Sequence, residues 1–177
     1  GTVKECREKA ADIREIDLQG HTMLPAFLDS HSHFVGVGQS LGSAQLAGCK
    51  SFDDMINRLK QFEASADIPQ GKAILGGGYD HTMLREKRHP DKWILDAAFP
   101  RTPVLISHVS NHMCVVNSAG LQRLGITKDT PDPDGGHIGR DSSGELTGYL
   151  EEKAYLQFTN RSSTPDPSLL AKAQELY

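Results

Sequence analysis

Residues 24–34 read Leu-Pro-Ala-Phe-Leu-Asp-Ser-His-Ser-His-Phe, and this stretch decides how the fold of the chain is interpreted. Residues 23–28 form a nearly continuous apolar run broken by one proline, which predicts a strand buried on both faces, as in parallel sheets. Side chains two residues apart on a strand project to the same side, so we expect Asp29, His31 and His33 to project together. Two such imidazoles can hold one divalent cation, with Asp29 placed to orient one of them.

The overall composition predicts a soluble globular protein. The chain has 177 residues, of which 37% are hydrophobic, and a formal net charge of -4 without a run of Lys or Arg. This length fits one domain better than two, and the charge gives no basic surface for nucleic acid or acidic lipid. Apolar runs fall well short of the ~18 residues that a spanning helix needs, and the start does not resemble a signal peptide. We therefore expect no nucleic-acid partner and no membrane partner.

The cysteines indicate a reducing compartment. Cys6, Cys49 and Cys114 are odd in number and widely spaced, so they predict no disulfide framework and no Cys-x-x-Cys metal or redox motif. Cys114 lies in an apolar run, where a buried thiol is expected. A cytoplasmic location follows from this pattern.

The remaining secondary structure is predicted from hydrophobic periodicity and from the residues that cap helices or form turns. The clearest helix begins after Ser51, a good N-cap, and has apolar residues at helical spacing up to Phe62. Asn117 is predicted to cap a second helix that Gly125 ends. The other expectations are strands at 13–18, 73–75, 104–108 and 113–116, a loop at 31–48, a short helix opened by Pro90, a turn-rich stretch at 130–148 and helix from about residue 151.

Neither end of the sequence has the features expected of a natural chain terminus. The chain starts without Met, and it ends at Tyr177 inside a pattern of helical spacing formed by Leu169, Leu170, Ala173 and Leu176. We therefore expect a fragment of a longer protein.

A family resemblance rests on the ordered motifs along the chain. Residues 25–33 resemble the P-G-F-I-D-x-H-x-H signature of the amidohydrolase superfamily, with Ala26 in place of the usual glycine. Residues 16–20, Ile-Asp-Leu-Gln-Gly, resemble a strand of that superfamily's small flanking β-domain. Further segments are similar to the third amidohydrolase family: Leu95-Asp96, Pro100-Arg101-x-Pro103-Val104, His112 with Asn117-Ser118, Thr130-Pro131-x-Pro133-x-Gly135-Gly136, and Thr147-Gly148-x-Leu150-x-Glu152.

The resemblance implies an α/β fold that forms part of a metal-dependent (β/α)8 TIM barrel. The implied organisation is the end of a small β-domain at 1–22, the first barrel strand with its metal-ligand loop at 23–50, an inserted α+β subdomain at 51–148, and a helical return to the barrel at 149–177. The active site of such a barrel lies at the C-terminal ends of its strands, where His31 and His33 would stand.

The implied activity is hydrolysis of an amide-type C–N bond in a small-molecule substrate. His31 and His33 would bind one or two divalent ions, expected to be zinc, and the metal would activate water. The other metal ligands and the catalytic acid would come from beyond residue 177, so we expect these 177 residues alone to be inactive. Two alternatives stay open: a non-catalytic binding or regulatory module of the same fold, and a metallohydrolase acting on an ester or a ring C–N bond.

Several further polar residues are candidates for the substrate pocket. His112 and Glu152 either line the pocket or serve local structure, with His112 hydrogen-bonded inside the subdomain and Glu152 starting a helix. Tyr79, Asp80 and His81 follow a glycine run and are candidates for its lip. The histidines expected at the surface are His21, His89 and His137. A homo-oligomer is also an open expectation.

Overall fold

The computed structural model describes residues 2–9, 14, 16–26, 33–66, 72–159 and 166–176. They fall into two compact units, residues 1–32 and residues 33–177. The predicted domain boundaries stay a prediction, since compactness alone does not define them. Within the described part of the chain, no helix is long and apolar enough to cross a membrane.

The first unit contains helix α1, Val3–Lys9. Its other described residues, 14 and 16–26, have no regular secondary structure, so the strands predicted at 13–18 and 23–28 are wrong over the described residues. Met23 and Leu24 are 78% and 67% exposed. A strand of a parallel sheet is stabilised by neighbours on both sides, and residues 16–26 pair with no described strand. Asp29 and His31 lie outside the described residues.

The second unit has a mixed α/β fold, as predicted. The helices are α2 Phe34–Ser40, α3 Phe52–Ser65, α4 Lys92–Ala98, α5 Ser118–Leu124, α6 Lys153–Thr159 and α7 Pro167–Leu176. The strands are β1 Ala44–Gln45, β2 Ile74–Tyr79, β3 Val104–His108, β4 Met113–Val116, β5 Gly136–Arg140 and β6 Leu146–Glu152.

The six strands form one sheet in the order β1-β2-β3-β4-β6-β5. Strands β1, β2 and β3 are parallel to one another, whereas β4, β6 and β5 are joined by antiparallel pairing. Alternation along β4 places Val115 in a core with Met55 and Leu59 of α3, and Cys114 in a second core with Leu121 of α5. The sheet therefore carries one hydrophobic cluster on each face.

The local signals in the sequence correctly located two helix starts. The Ser51 side chain accepts a hydrogen bond from the Asp54 amide at 3.2 Å, and the Asn117 side chain accepts one from the Gly120 amide at 2.9 Å. Gly125 then ends α5 in the left-handed conformation, with φ of 73°. These confirmed caps fix where α3 and α5 enter their packing positions.

Two stretches predicted as loop and turns contain regular structure instead. Helix α2 and strand β1 lie within residues 31–48. Strand β5 lies within residues 130–148, and strand β6 begins in that stretch and ends just after it. The glycines there serve close approaches as well as turns: a Cβ at Gly148 would collide with the Val116 carbonyl oxygen, and one at Gly136 with the Ala154 amide. Such contacts come from distant residues, which local patterning does not reveal.

Candidate functional site

One edge of the sheet collects most of the candidate polar residues. In the parallel pair β2 and β3, Tyr79 lies opposite His108, so both strands end at the same edge. Asp80 and His81 directly follow Tyr79 and therefore lie beside His108. The carboxyl ends of parallel strands are the usual place for ligand sites in open α/β sheets.

The antiparallel half of the sheet adds His112 and Glu152 to this edge. Strand β4 begins opposite the end of β3, with Cys114 paired to Ser107, and β6 ends opposite the start of β4, with Glu151 paired to Met113. His112 precedes β4 and Glu152 is the last residue of β6. Four of the predicted pocket residues, Asp80, His81, His112 and Glu152, thus come to one edge from separate parts of the sequence.

A histidine cluster forms where β2 and β3 end. His81 Nδ1 lies 3.2 Å from His108 Nε2. The His89 ring stacks on His81 with centroids 3.9 Å apart and planes at 29°. The hydroxyl of the fully buried Tyr79 lies 3.0 Å from His89 Nδ1. Tyr79 therefore lies beneath the cluster and supports it.

Sequence reasoning missed two members of this cluster. His89 was expected at the surface, but it is partly buried because its loop folds back and stacks its ring on His81. His108 was taken only as the end of a strand, yet it is 7% exposed. The sequence held part of the signal for His108, which ends a predicted strand, but the parallel pairing that brings it beside Asp80 and His81 is visible only in the structure. His21 and His137 are exposed, as predicted.

Burial and hydrogen bonding set the charge of the cluster. Burial lowers the pKa of His89 to about 4, with repulsion from His81 and His108 adding to the effect. Burial also lowers the pKa of His108. Repulsion from His81 lowers this pKa further, whereas attraction to Asp80 raises it. Hydrogen bonds from the hydroxyl and amide of Thr82 hold the pKa of Asp80 below its usual range. At neutral pH, His89 and His108 are therefore neutral beside a carboxylate.

Among the described residues, one group has the donor atoms of a metal site. The ligand atoms of Asp80, His81 and His108 all lie within 4.8 Å of one another. Two imidazole nitrogens and one carboxylate oxygen form a donor set that suits zinc and related divalent cations. The chain thus fits a metal ion at this edge by its donor chemistry.

His112 and Glu152 contact each other directly. His112 Nδ1 lies 3.1 Å from Oε1 and 3.2 Å from Oε2 of Glu152, and the Glu152 amide donates to the His112 carbonyl at 2.8 Å. Glu152 has φ of 50°, an unusual backbone conformation for a residue other than glycine. Both side chains are more than half exposed, 63% and 52%. The two residues therefore hold each other in place, and their side chains remain accessible to solvent. Their role in a substrate pocket stays a prediction.

The predicted ligand pair is only half described. His33 is exposed and immediately precedes α2, where its carbonyl accepts a hydrogen bond from the Val37 amide at 3.0 Å. His31 lies outside the described residues. The joint projection of the two imidazoles therefore stays a prediction.

Comparison with known proteins identifies the family. A sequence profile of the Amidohydrolase family matches residues 14–175, nearly the whole chain. The chain belongs to this family, and its similarity to the relatives below places it in the third amidohydrolase family.

Two curated relatives and one solved structure illustrate the similarity. YtcJ of Bacillus subtilis (strain 168), provisionally named an amidohydrolase, is 36% identical over 156 residues, which are 87% of this chain and 29% of YtcJ. The N-substituted formamide deformylase of Arthrobacter pascens is 33% identical over 157 residues, with the same two coverages. The crystal structure of an uncharacterized metal-dependent hydrolase from Pyrococcus horikoshii OT3 matches with a TM-score of 0.57 and 30% identity, over 86% of this chain and 28% of that one. The chain spans under a third of each relative's length.

Proposed function

We propose that this chain forms the N-terminal part of a metal-dependent amidohydrolase that cleaves a C–N bond in a small-molecule amide. The observation that carries the proposal is the family match over residues 14–175, which includes Asp29, His31 and His33. The Arthrobacter pascens relative, by its name, removes formyl groups from N-substituted formamides. Amides of that kind are the substrate class we propose for this protein.

The proposed roles follow from the residue chemistry. His31 and His33 hold the catalytic cation, which we propose is zinc, and Asp29 orients one of the imidazoles. When bound, the cation supplies an activated water at neutral pH. Residues 23–26 form no strand here. We further propose that residues 23–33 become the first strand and ligand loop of a TIM barrel when the rest of the intact protein supplies neighbouring strands, since such barrels carry catalytic groups at C-terminal strand ends.

The cytoplasm is the proposed compartment. Cys6, Cys49 and Cys114 are all free thiols, and the latter two are buried. Free thiols are the usual state of cysteine in a reducing compartment.

The substrate pocket is proposed to include the sheet edge that carries His112 and Glu152. Replacing His112 by alanine is expected to raise KM for an amide substrate by about fivefold, the effect of one lost hydrogen bond of roughly 1 kcal/mol. Metal content, measured by elemental analysis, is expected to stay at the wild-type level because the predicted metal ligands are untouched.

A matched control for this substitution is His137→Ala. His137 is exposed and also hydrogen-bonds a carboxylate, Asp132, at 2.9 Å. The control is expected to leave KM unchanged. A His112→Ala protein with lower stability but unchanged kinetics would show that the His112–Glu152 pair serves only the fold.

The type of bond cleaved separates the proposed function from its alternatives. The intact protein is assayed against an N-substituted formamide, the matching formate ester and a cyclic amide, with a chelator-treated sample beside each. We expect the open-chain amide to give the highest kcat/KM. Preference for the ester or the ring substrate would overturn the bond assignment, and no turnover of any of them would favour a non-catalytic module.

A further inference from the structure

The structure contains a second candidate metal site, which uses neither His31 nor His33. We propose that Asp80, His81 and His108 bind a divalent cation of the zinc type, with His81 Nδ1, His108 Nε2 and a carboxylate oxygen of Asp80 as ligands. All three residues belong to the compact unit of residues 33–177. The site lies at the sheet edge where the substrate pocket is also proposed, but its donor set does not depend on the reaction proposed above.

The spacing of the nitrogens fits a shared ion. Zinc–imidazole bonds of 2.0–2.1 Å at a tetrahedral angle place two ligand nitrogens about 3.3 Å apart. His81 Nδ1 and His108 Nε2 are 3.2 Å apart, so the spacing of these two nitrogens already matches that of two ligands of one ion. The Asp80 ligand oxygen lies within 4.8 Å of both nitrogens. A small rotation of the Asp80 side chain can bring this oxygen to coordination distance from the ion.

The surroundings hold these ligands in orientation. The Asp80 Oδ1 atom accepts hydrogen bonds from the Thr82 amide at 2.9 Å and the Thr82 hydroxyl at 2.7 Å, and neither bond uses Oδ2. His81 is stacked against His89. The His108 ring meets the buried Tyr79 ring edge-on, with centroids 5.2 Å apart. A site that is held in place before binding pays little ordering entropy when the ion arrives.

Ser110 supplies the outer hydrogen bond that a metal-binding histidine needs. Ser110 Oγ lies 2.9 Å from His108 Nδ1, and the Ser110 amide donates to the same nitrogen at 3.1 Å. Without an ion, His108 therefore carries its proton on Nε2 and donates it to His81. Binding at Nε2 moves that proton to Nδ1, where Ser110 Oγ accepts it, as is typical of imidazole ligands, while the Ser110 amide gives up its hydrogen bond to that nitrogen.

Zinc titration of the intact protein tests this site. Chelator-treated wild type and a His81→Gln variant are titrated with Zn²⁺ against a chromophoric chelator, and Co²⁺ is added separately to record its absorption spectrum. Wild type is expected to bind one more equivalent of zinc than the variant, or to bind that equivalent more than about 100-fold more tightly. The Co²⁺ absorption of this site is expected to be lost with His81.

A second variant leaves all three ligands in place. Ser110→Ala is expected to weaken zinc binding at this site by about tenfold, because His108 loses its outer acceptor. The control is His137→Gln, which is expected to bind zinc as wild type does. Equal zinc stoichiometry and affinity in His81→Gln and the control would overturn the proposal. Loss of one and the same equivalent in His81→Gln and in His31→Ala/His33→Ala would also overturn it, since a single shared ion would then explain both.

Discussion

Replacing both His31 and His33 by alanine is expected to reduce amide turnover by the intact protein by at least about 10³-fold. The physical reason is loss of the proposed catalytic cation, which would lower the pKa of the water it activates from far above neutrality to about 7. Without the cation, the ionised fraction of that water at neutral pH falls by roughly 10⁸. Other groups that act as general bases can make up only part of the resulting loss in rate. The measurement is kcat/KM together with metal content by elemental analysis.

The matched control removes two other histidines. His21 and His137 are both exposed, and His21 Nδ1 lies 2.9 Å from the Leu18 carbonyl oxygen. The His21→Ala/His137→Ala protein is expected to keep its metal and its turnover. Wild-type metal content and activity in the His31→Ala/His33→Ala protein would contradict the assignment of these residues as ligands.

Replacing Asn117 by alanine is expected to lower the free energy of unfolding by about 3–5 kcal/mol. Asn117 is completely buried. Its Oδ1 accepts hydrogen bonds from the Val104 and Gly120 amides, and its Nδ2 donates to the Phe99 and Thr102 carbonyls, each at 2.9 Å. Alanine leaves these buried groups without partners, and each unsatisfied group costs about 1–3 kcal/mol.

The control for Asn117 is a simple helix cap. Ser51→Ala removes one capping hydrogen bond at the start of α3 and is expected to cost about 1 kcal/mol. Denaturant unfolding of both variants gives the two values under the same conditions. A loss no greater in Asn117→Ala than in Ser51→Ala would show that Asn117 acts only as a cap and does not tie β3 to α4 and α5.

Local patterns predicted the elements that depend on local chemistry. Strands β3 and β4 were predicted with their observed bounds, because apolar residues fill them and turn residues flank them. Helices α3 and α5 were predicted from their caps, Ser51 and Asn117, and from apolar spacing. The Asn117 side chain also bonds the backbone of β3 and the end of α4, which the cap pattern alone does not reveal.

The missed elements depend on contacts between distant residues. Gly139 is close to Thr147 and Tyr149 on the neighbouring strand, so glycine there indicates strand packing and was taken for a turn. The same limit applies to the site. Strand spacing and the family resemblance together supplied His31 and His33, whereas the approach of His89 to His81 arises only when a loop folds back on the sheet edge.

Removal and return of the metal test most directly whether this family member is a metal-dependent amidohydrolase. The intact protein is dialysed against a chelator, its metal content is checked, and hydrolysis of an N-substituted formamide is measured before and after zinc is added. We expect turnover to disappear with the metal and to return when zinc is added. Unchanged amide hydrolysis by protein shown to be metal-free would contradict the proposed function.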